Sequence, residues 1–600
     1  MHEIVTFFRH LPRARQGQAV LLLLLMLVAA VLEIGGVVSV MPFLAVLGNP
    51  ELVSRYELLG RFQAWTGAAT FYAFAVYLAL AAFLAMAVTA AIKVLVQYVA
   101  QRYTQAVSGW VSATLFDAYL NQPYVFFLGR NTAQMDQTIL SETQNAMAHV
   151  LHPVLMICAY SLVLLLLFGA LVFIDPRVSL FVLVFFAALY SVIVALVTPL
   201  LKRSGERAVA YNEQRYRICG EALRGVKTVK ARGLEGTYFE RFRGPSSLYT
   251  RNQALAQVLA AAPRHIVEAL GVGAVMLLAL YFMGSTDDLG QTLPLIGVYV
   301  LAGNRMLPAA QQIFQSFSQI RYGMPSLRAV LRDLPLQPPS TISSPPEAAL
   351  PAGFDIDVRE LTLRYPGAES DTLKALSFTI PANTTVGIVG SSGSGKTTLC
   401  DVLLGLLRPS AGEVIVAGAP ADLVASRAWK RAVGYVPQDV YLTDASIAEN
   451  IALGVPRAAI DRERLERVAR MANIHDFIAA CPEGYATPTG ERGVRISGGQ
   501  RQRLGIARAL YEGPRVLVFD EATSALDSVT EREVMDAIRG LTHSMTIVIV
   551  AHRLQTVRHA DLIVHLEQGR IAGLGSYETL HATSPAFREL ARYSGEGQAA

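Results

Sequence analysis

The 600-residue chain holds only four cysteines, Cys158, Cys219, Cys400 and Cys481, and none stands at metal-ligand spacing from another. That excludes a cysteine-built zinc module. No cysteine falls in a segment expected outside the membrane, so reduced thiols are expected and disulfides are not. Charge is scarce too: Asp, Glu, Lys and Arg make up 16% of the residues and the formal net charge is +5. Nucleic-acid binding needs a basic face, whereas the basic residues here cluster beside apolar runs, so no nucleic-acid partner is expected. In place of charge there is hydrophobicity, 52% of residues with a mean hydropathy of +0.38. The excess lies before residue 335, since the second half contains ordinary charged, helical and strand-like stretches. A chain this long exceeds one core, and the contrast predicts a membrane domain followed by a soluble one.

A membrane-crossing helix needs about 20 mainly apolar residues. Six stretches qualify, at roughly 19–47, 70–100, 146–174, 177–201, 258–284 and 289–315. The stretches after the second and fourth are polar but have few helix breakers, so those helices are expected to continue into the cytoplasm. His2, Arg9, Arg13 and Arg15 precede the first run with the polarity of a signal peptide. The run continues through Val28, Val38 and Val46 without a convincing cleavage site, which favours a retained span. Lys202, Arg203, Arg207, Arg215, Arg217, Arg224, Lys227, Lys230 and Arg232 follow the fourth run, while the link between the fifth and sixth carries Asp287 and Asp288. Positive loops stay inside, so both termini are expected in the cytoplasm. Residues 48–69 then lie outside; Leu52, Tyr56, Leu59, Phe62 and Trp65 recur at helical spacing, suiting either the bilayer surface or packing on neighbouring spans. Pro335, Pro338, Pro339, Pro345, Pro346 and Pro351 mark a semi-rigid spacer. The expected organisation is a membrane domain at 1–334, a linker at 335–351 and a soluble domain at 352–600.

Chemistry is concentrated in the soluble domain. Residues 390–398 read Gly-Ser-Ser-Gly-Ser-Gly-Lys-Thr-Thr, the phosphate-loop pattern, after the apolar strand Val386-Gly387-Ile388-Val389 and before a helical run through Leu399, Leu403, Leu404 and Leu407. In that context backbone N–H groups face the phosphates, Lys396 reaches the β- and γ-phosphates, and Thr397 offers a hydroxyl to Mg²⁺. Gly390, Ser391, Gly393, Ser394, Gly395, Lys396, Thr397 and Thr398 are the expected ATP contacts. A second apolar strand, Val516-Leu517-Val518-Phe519, ends in Asp520-Glu521. Asp520 suits the Mg²⁺ shell, and Glu521 is placed to act as general base on the attacking water.

Residues 496–500, Ile-Ser-Gly-Gly-Gln, resemble the signature of ATP-binding-cassette (ABC) ATPases, usually Leu-Ser-Gly-Gly-Gln. The resemblance covers 352–592. It implies that Tyr365 stacks on adenine, that Gln438 senses Mg²⁺ and faces the membrane domain, and that Ser497, Gly498, Gly499 and Gln500 cap ATP bound to an opposite subunit. It further implies that Asp527 communicates between sites, that His552 contacts the γ-phosphate, and that Gly490-Glu491-Arg492-Gly493 touches the membrane helices. Ile496 departs from the usual leucine but is of similar volume. One phosphate loop and one signature in the chain imply a dimer, and the intact motifs favour a second identical chain as partner over a heterodimer. The fold expected is that of a half-size ABC exporter: an α-helical membrane domain of six transmembrane helices followed by an α/β P-loop ATPase, with coupling helices near 121–131 and 224–232, in the bacterial cytoplasmic (inner) membrane.

A fold does not name its cargo, and ionisable residues inside spans are the remaining signal. Glu33, Lys93, Arg264, Glu268 and Arg305 qualify, although Arg264 and Glu268 can pair at i,i+4 on one helix and Lys93 can snorkel. The segments Ser39-Val40-Met41-Pro42-Phe43, Ala262-Pro263-Arg264 through Glu268, and Asn304-Arg305-Met306-Leu307-Pro308 resemble the PglK-type lipid-linked oligosaccharide flippases. That resemblance implies that Arg264 and Arg305 bind a polyprenyl-pyrophosphate glycan. The competing cargoes are lipid A, a hydrophobic drug or a peptide. A nucleotide-gated channel is disfavoured by intact Glu521 and His552.

Overall fold

The computed structural model describes residues 2–48, 57–68, 70–174, 176–285, 289–335, 350–490, 493–521, 528–542, 544–551 and 553–593. Its contacts divide into two units. The first comprises Met1–Gln122 and Gly129–Ser340; the second comprises Pro123–Leu128 and Thr341–Ala600.

Among its described residues the first unit holds helices and no strands. After the short amphipathic helix His2–His10 come Arg13–Val38 and Val40–Gly48, separated at Ser39, whose hydroxyl donates to Gly36 O at 2.8 Å. The helix Phe71–Leu120 runs for 50 residues, roughly 75 Å at 1.5 Å per residue and over twice a bilayer's hydrocarbon thickness. The helices Pro176–Arg224 and Glu235–Ser285 are of similar length, and Leu289–Asp333 closes the unit. Among the described residues four helices are long and apolar enough to cross a membrane: Arg13–Gly36, Phe71–Leu120, Thr132–Gly169 and Leu183–Arg224. The fifth and sixth expected spans fall within Glu235–Ser285 and Leu289–Asp333, and the Asp287–Asp288 link between them lies outside the described residues.

Ala100, Val107, Val111 and Leu115 form a buried stripe, packed with Leu22, Met26, Met147, Leu151, Leu155, Leu327 and Val330. The polar extension of the helix is thus held by an apolar seam. The third long helix is not uniform: Gln137–Glu142 and Met147–Leu151 are π-wound, each inserting extra backbone per turn. The described part of the amphipathic segment at 48–69 packs on its neighbours. Leu59 and Phe62 on helix Glu57–Thr66 lie against Val46, Phe74 and Leu78, and Trp65 is 82% exposed, while Leu52 and Tyr56 lie outside the described residues. All four cysteines are free thiols.

The second unit holds two sheets. One is antiparallel in the order β2-β1-β4-β5, from Ile356–Leu363 (β1), Leu373–Ile380 (β2), Ala411–Val416 (β4) and Ala419–Pro420 (β5). The other has the order β10-β9-β3-β8-β7-β6, with Thr385–Gly390 (β3), Val433–Val436 (β6), Val516–Asp520 (β7), Thr546–Val550 (β8), Leu562–Glu567 (β9) and Arg570–Gly575 (β10). Its five strands β6 to β9 with β3 are parallel, and β10 alone runs antiparallel. Buried on both faces, β3 and β8 read as unbroken apolar runs, as parallel strands do. Parallel strands bring their C-terminal ends to one edge, where ligands of open α/β sheets bind. The loops after β3, β6, β7 and β8 therefore converge. The short helix Tyr124–Leu128 groups with this unit, its Val125 packed against the cluster around Leu373, Leu399 and Trp429, whereas Val226–Ala231 groups with the first unit. The proline-rich linker, apart from its ends, lies outside the described residues.

Candidate functional site

The residues at the C-terminal edge of β3 form a tight cradle. Gly390 comes so close to β9 that a Cβ there would meet Leu566 O at 2.2 Å. At Gly395, φ is +103° and a Cβ would meet Leu373 Cδ2 at 2.7 Å, so only glycine fits. The helix Lys396–Leu403 starts directly after it, pointing its first N–H groups into the loop. Lys396 is buried and its Nζ donates to Gly390 O at 2.9 Å and Ser391 O at 3.0 Å. Burial lowers its pKa, and the carboxylates of Glu521 and Asp520 oppose that shift. Ser394 Oγ is buried without a hydrogen-bond partner among the described residues. A phosphate chain suits this cradle: it offers N–H donors, a buried ammonium and an orphan hydroxyl. Tyr365 reaches the loop's helix, its hydroxyl 3.2 Å from Thr398 Oγ1.

Two further strand ends meet beside the cradle. Asp520 ends β7, and Glu521 follows with φ +49°, a left-handed conformation for a non-glycine residue. Such backbone costs on the order of 1–3 kcal/mol and clusters at functional sites. Glu521 is held there by its N–H, which donates to Val550 O at 3.0 Å. Gln438, two residues past β6, donates from Nε2 to Glu521 Oε2 at 3.0 Å. Thr397, Asp520 and the Gln438 amide supply hard oxygen donors only, the set Mg²⁺ takes. Asp401 on the loop's helix has its carboxyl raised to about 6 by burial and then by the nearby Asp520 charge.

Ser497 caps the helix Gly498–Tyr511 in a capping box: its Oγ accepts from Gln500 N at 3.3 Å, and Gln500 Oε1 accepts from Ser497 N at 3.0 Å. Ser497 and Gly498 are exposed, Gly499 is buried, and Ile496 is buried in the apolar core. Asp527 and His552 lie outside the described residues, as do Glu491 and Arg492. Ala551, which precedes His552, donates to Ile388 O at 3.0 Å and so runs beside β3.

The charged residues in the spans are mostly paired. Lys93 and Glu33 form an ion pair between the helices Phe71–Leu120 and Arg13–Val38, with Glu33 buried. Arg264 Nε lies 2.8 Å from Glu268 Oε1, one turn away on the same helix, leaving the guanidinium side chain largely exposed. The backbone of Arg305 is helical within Leu289–Asp333, and its side chain is outside the described set.

Sequence reading missed a buried polar junction behind Gln438. Asn450 donates from Nδ2 to Thr443 O, Ser446 O and Thr489 Oγ1 at 3.0, 3.1 and 3.2 Å. Arg508 donates to Asn450 O at 2.7 Å and Tyr441 O at 2.6 Å. The one local sign of it is Ser446-Ile-Ala-Glu449, a capping-box pattern that announces a helix and leaves Asn450 just inside it.

Comparisons with known proteins agree with this geometry. The family model "ABC transporter" matches residues 373–524, and "ABC transporter transmembrane region" matches 22–292. An "ATP-dependent lipid A-core flippase" of Cupriavidus metallidurans is 30% identical over 524 residues, covering 85% of this chain and 86% of that protein. The "Cyclolysin secretion/processing ATP-binding protein CyaB" of Bordetella pertussis is 33% identical over 408 residues, 67% of this chain and 56% of that one. A solved bacterial Atm1-family ABC exporter with ATP bound superposes with a TM-score of 0.77 at 24% identity, over 98% of this chain and 99% of that one, which speaks to fold alone.

Proposed function

The chain belongs to the ABC transporter family, a half-size exporter that couples ATP hydrolysis to transport, and from that premise we propose that two identical chains together move a glycan-bearing lipid across the bacterial cytoplasmic membrane. The carrying observation is the edge where the phosphate cradle, Asp520, Glu521 and Gln438 converge, with Gln438 Nε2 3.0 Å from Glu521 Oε2. The signature Ser497 stands exposed at its helix start, which suits a cap on ATP held by a second chain. Both termini, and the soluble domain at 352–600 behind the 335–351 linker, then lie in the cytoplasm. The membrane domain is 1–334.

In this reading the ATP phosphates replace Gly390 O and Ser391 O as partners of the Lys396 ammonium, and Ser394 Oγ gains an acceptor. Tyr365 swings from Thr398 to stack on the base. Thr397, Asp520 and Gln438 would hold Mg²⁺, which supplies charge neutralisation on the β- and γ-phosphates. Glu521 takes the proton of the attacking water while Gln438 fixes its carboxylate. His552 and Asp527 take the γ-phosphate contact and the communication between sites.

Two cargo classes remain in contention. The short segments around Pro42, Arg264 and Arg305 favour a polyprenyl-pyrophosphate oligosaccharide bound by Arg264 and Arg305; the relative from Cupriavidus metallidurans favours lipid A-core. The Arg264–Glu268 pair means that a pyrophosphate must compete with a carboxylate one turn away. The test is ATP-dependent movement of each labelled lipid across proteoliposomes holding the purified chain, with Glu521→Gln as control. Glu521→Gln is expected to lower ATP turnover by at least about 100-fold and to stop movement. Residual turnover near the parent's would assign the base elsewhere. Movement of the oligosaccharide lipid, lost in Arg305→Ala, supports the first class; movement of lipid A-core alone supports the second.

A further inference from the structure

The loop that carries Gln438 is fastened at both ends to one face of the signature helix. Gln502 Nε2 donates to Pro437 O at 3.4 Å, on the near side of Gln438. Arg508 Nη1 donates to Tyr441 O at 2.6 Å, on its far side. Between these two points Gly505 lies directly under Val440, where a Cβ would sit 2.6 Å from Val440 Cγ2. Residues 502, 505 and 508 recur every third position and share a helix face over roughly 9 Å. They meet 437, 440 and 441 in the same order.

Arg508 is an unusual fastener. Among the described residues its acceptors are all neutral oxygens: Asn450 O at 2.7 Å, Asn450 Oδ1 at 3.1 Å and Tyr441 O at 2.6 Å. A half-buried guanidinium held by amide oxygens alone needs all of them in place. Asn450, 1% exposed, keeps them there by bonding to Thr443, Ser446 and Thr489. The far end of the loop is therefore locked to the segment entering Gly490 as well.

We propose that Gln502, Gly505 and Arg508, backed by Asn450, are positioning residues that make the Gln438 loop and the Ser497 helix one rigid body. This rests on the roles proposed above for Gln438, Glu521 and Ser497. A displacement at Ser497, imposed by ATP on the opposite chain, then moves Gln438 and with it the Glu521 carboxylate. Hydrolysis in one site is thereby tied to closure of the other through packed side chains, with no mobile relay between them.

The test uses the full chain in proteoliposomes. Arg508→Lys keeps the charge but cannot reach all three acceptors. Gly505→Val keeps every hydrogen bond and pushes the loop off the helix; adding Val440→Ala makes room again. Arg508→Lys and Gly505→Val are each expected to lower kcat for ATP about tenfold with KM within about twofold, because a small misplacement of a reacting group is felt in turnover. The Gly505→Val/Val440→Ala double variant is expected to recover kcat to within about threefold of the parent, which a merely destabilising change would not do. Should Arg508→Lys fail to fold, the Gly505–Val440 pair decides. Parent-like kcat in Gly505→Val, or no recovery in the double variant, overturns the inference. Gln438→Ala separates the two levels: if it leaves kcat unchanged, the role given to Gln438 fails; if it slows turnover while Gly505→Val does not, the inference fails alone.

Discussion

Asn450 in the cassette and Glu142 in the helical unit are equally buried, at 1% exposure each, yet they end differently. Both groups of the Asn450 side chain are fully engaged, Oδ1 accepting from Thr443 N at 2.9 Å and Nδ2 reaching three oxygens. Glu142 Oε1 accepts from Gln137 Nε2 at 2.7 Å and Asn212 Nδ2 at 3.4 Å, but Oε2 has no partner among the described residues. Among the described residues it is the one carboxylate oxygen buried in that state. The same helix is π-wound at Gln137–Glu142 and again at Met147–Leu151. A closed network resists displacement, because any shift leaves several buried groups unpaired. The half-open one lies beside π-wound backbone, and Arg215 joins it by donating to Asn212 Oδ1 at 3.2 Å. The difference is one of closure: the Asn450 network is complete and the Glu142 network is not.

The strongest way to break that contrast is Asn450→Leu. It leaves Thr443 O, Ser446 O and the Arg508 fork short of partners, and about 3–5 kcal/mol of stability is expected to go with them. Chemical denaturation of the purified chain measures it, and an unchanged cassette transition would mean that the network is dispensable. Glu142→Gln is expected to do the opposite on a smaller scale. Removing a half-satisfied buried carboxylate should leave stability unchanged or raise it by up to about 1 kcal/mol, read as the thermal unfolding midpoint in detergent. A large loss would show that the unpaired oxygen is bonded in solution.

Asp401 sharpens the comparison from within the cassette, since burial and the Asp520 charge raise its carboxyl from 3.8 to about 6. The folded state then holds this proton more tightly than the unfolded one. The stabilising contribution is full below about pH 4 and lost as pH rises through about 6. Asp401→Asn should therefore raise the unfolding midpoint at pH 7.5, and the gain should shrink steadily as pH is lowered below 6. A gain independent of pH would remove the charge explanation.

Much of the site was legible because its chemistry is local. A phosphate loop needs glycines, a lysine and a helix start within nine residues, and Gly390 to Thr398 show all of them. The long apolar runs were legible for a similar reason, since hydropathy over about 20 residues is a property of the run alone. The Arg264–Glu268 pair, four residues apart on one helix, was visible as spacing. The helix at 57–66 was visible too, but not the fact that Leu59 and Phe62 spend its apolar face on Val46 and Phe74.

What the sequence by itself determined is where the phosphate loop, the signature and the long apolar runs lie, because those follow from side-chain chemistry and short spacing. Only the tertiary structure decided which residues meet. Gln438 reaches Glu521 across 83 positions, Lys93 pairs with Glu33 across 60, and Arg508 grips Asn450 across 58. Sheet order and helix crossing bring such pairs together, and those are set by burial summed over whole elements, which no local pattern encodes.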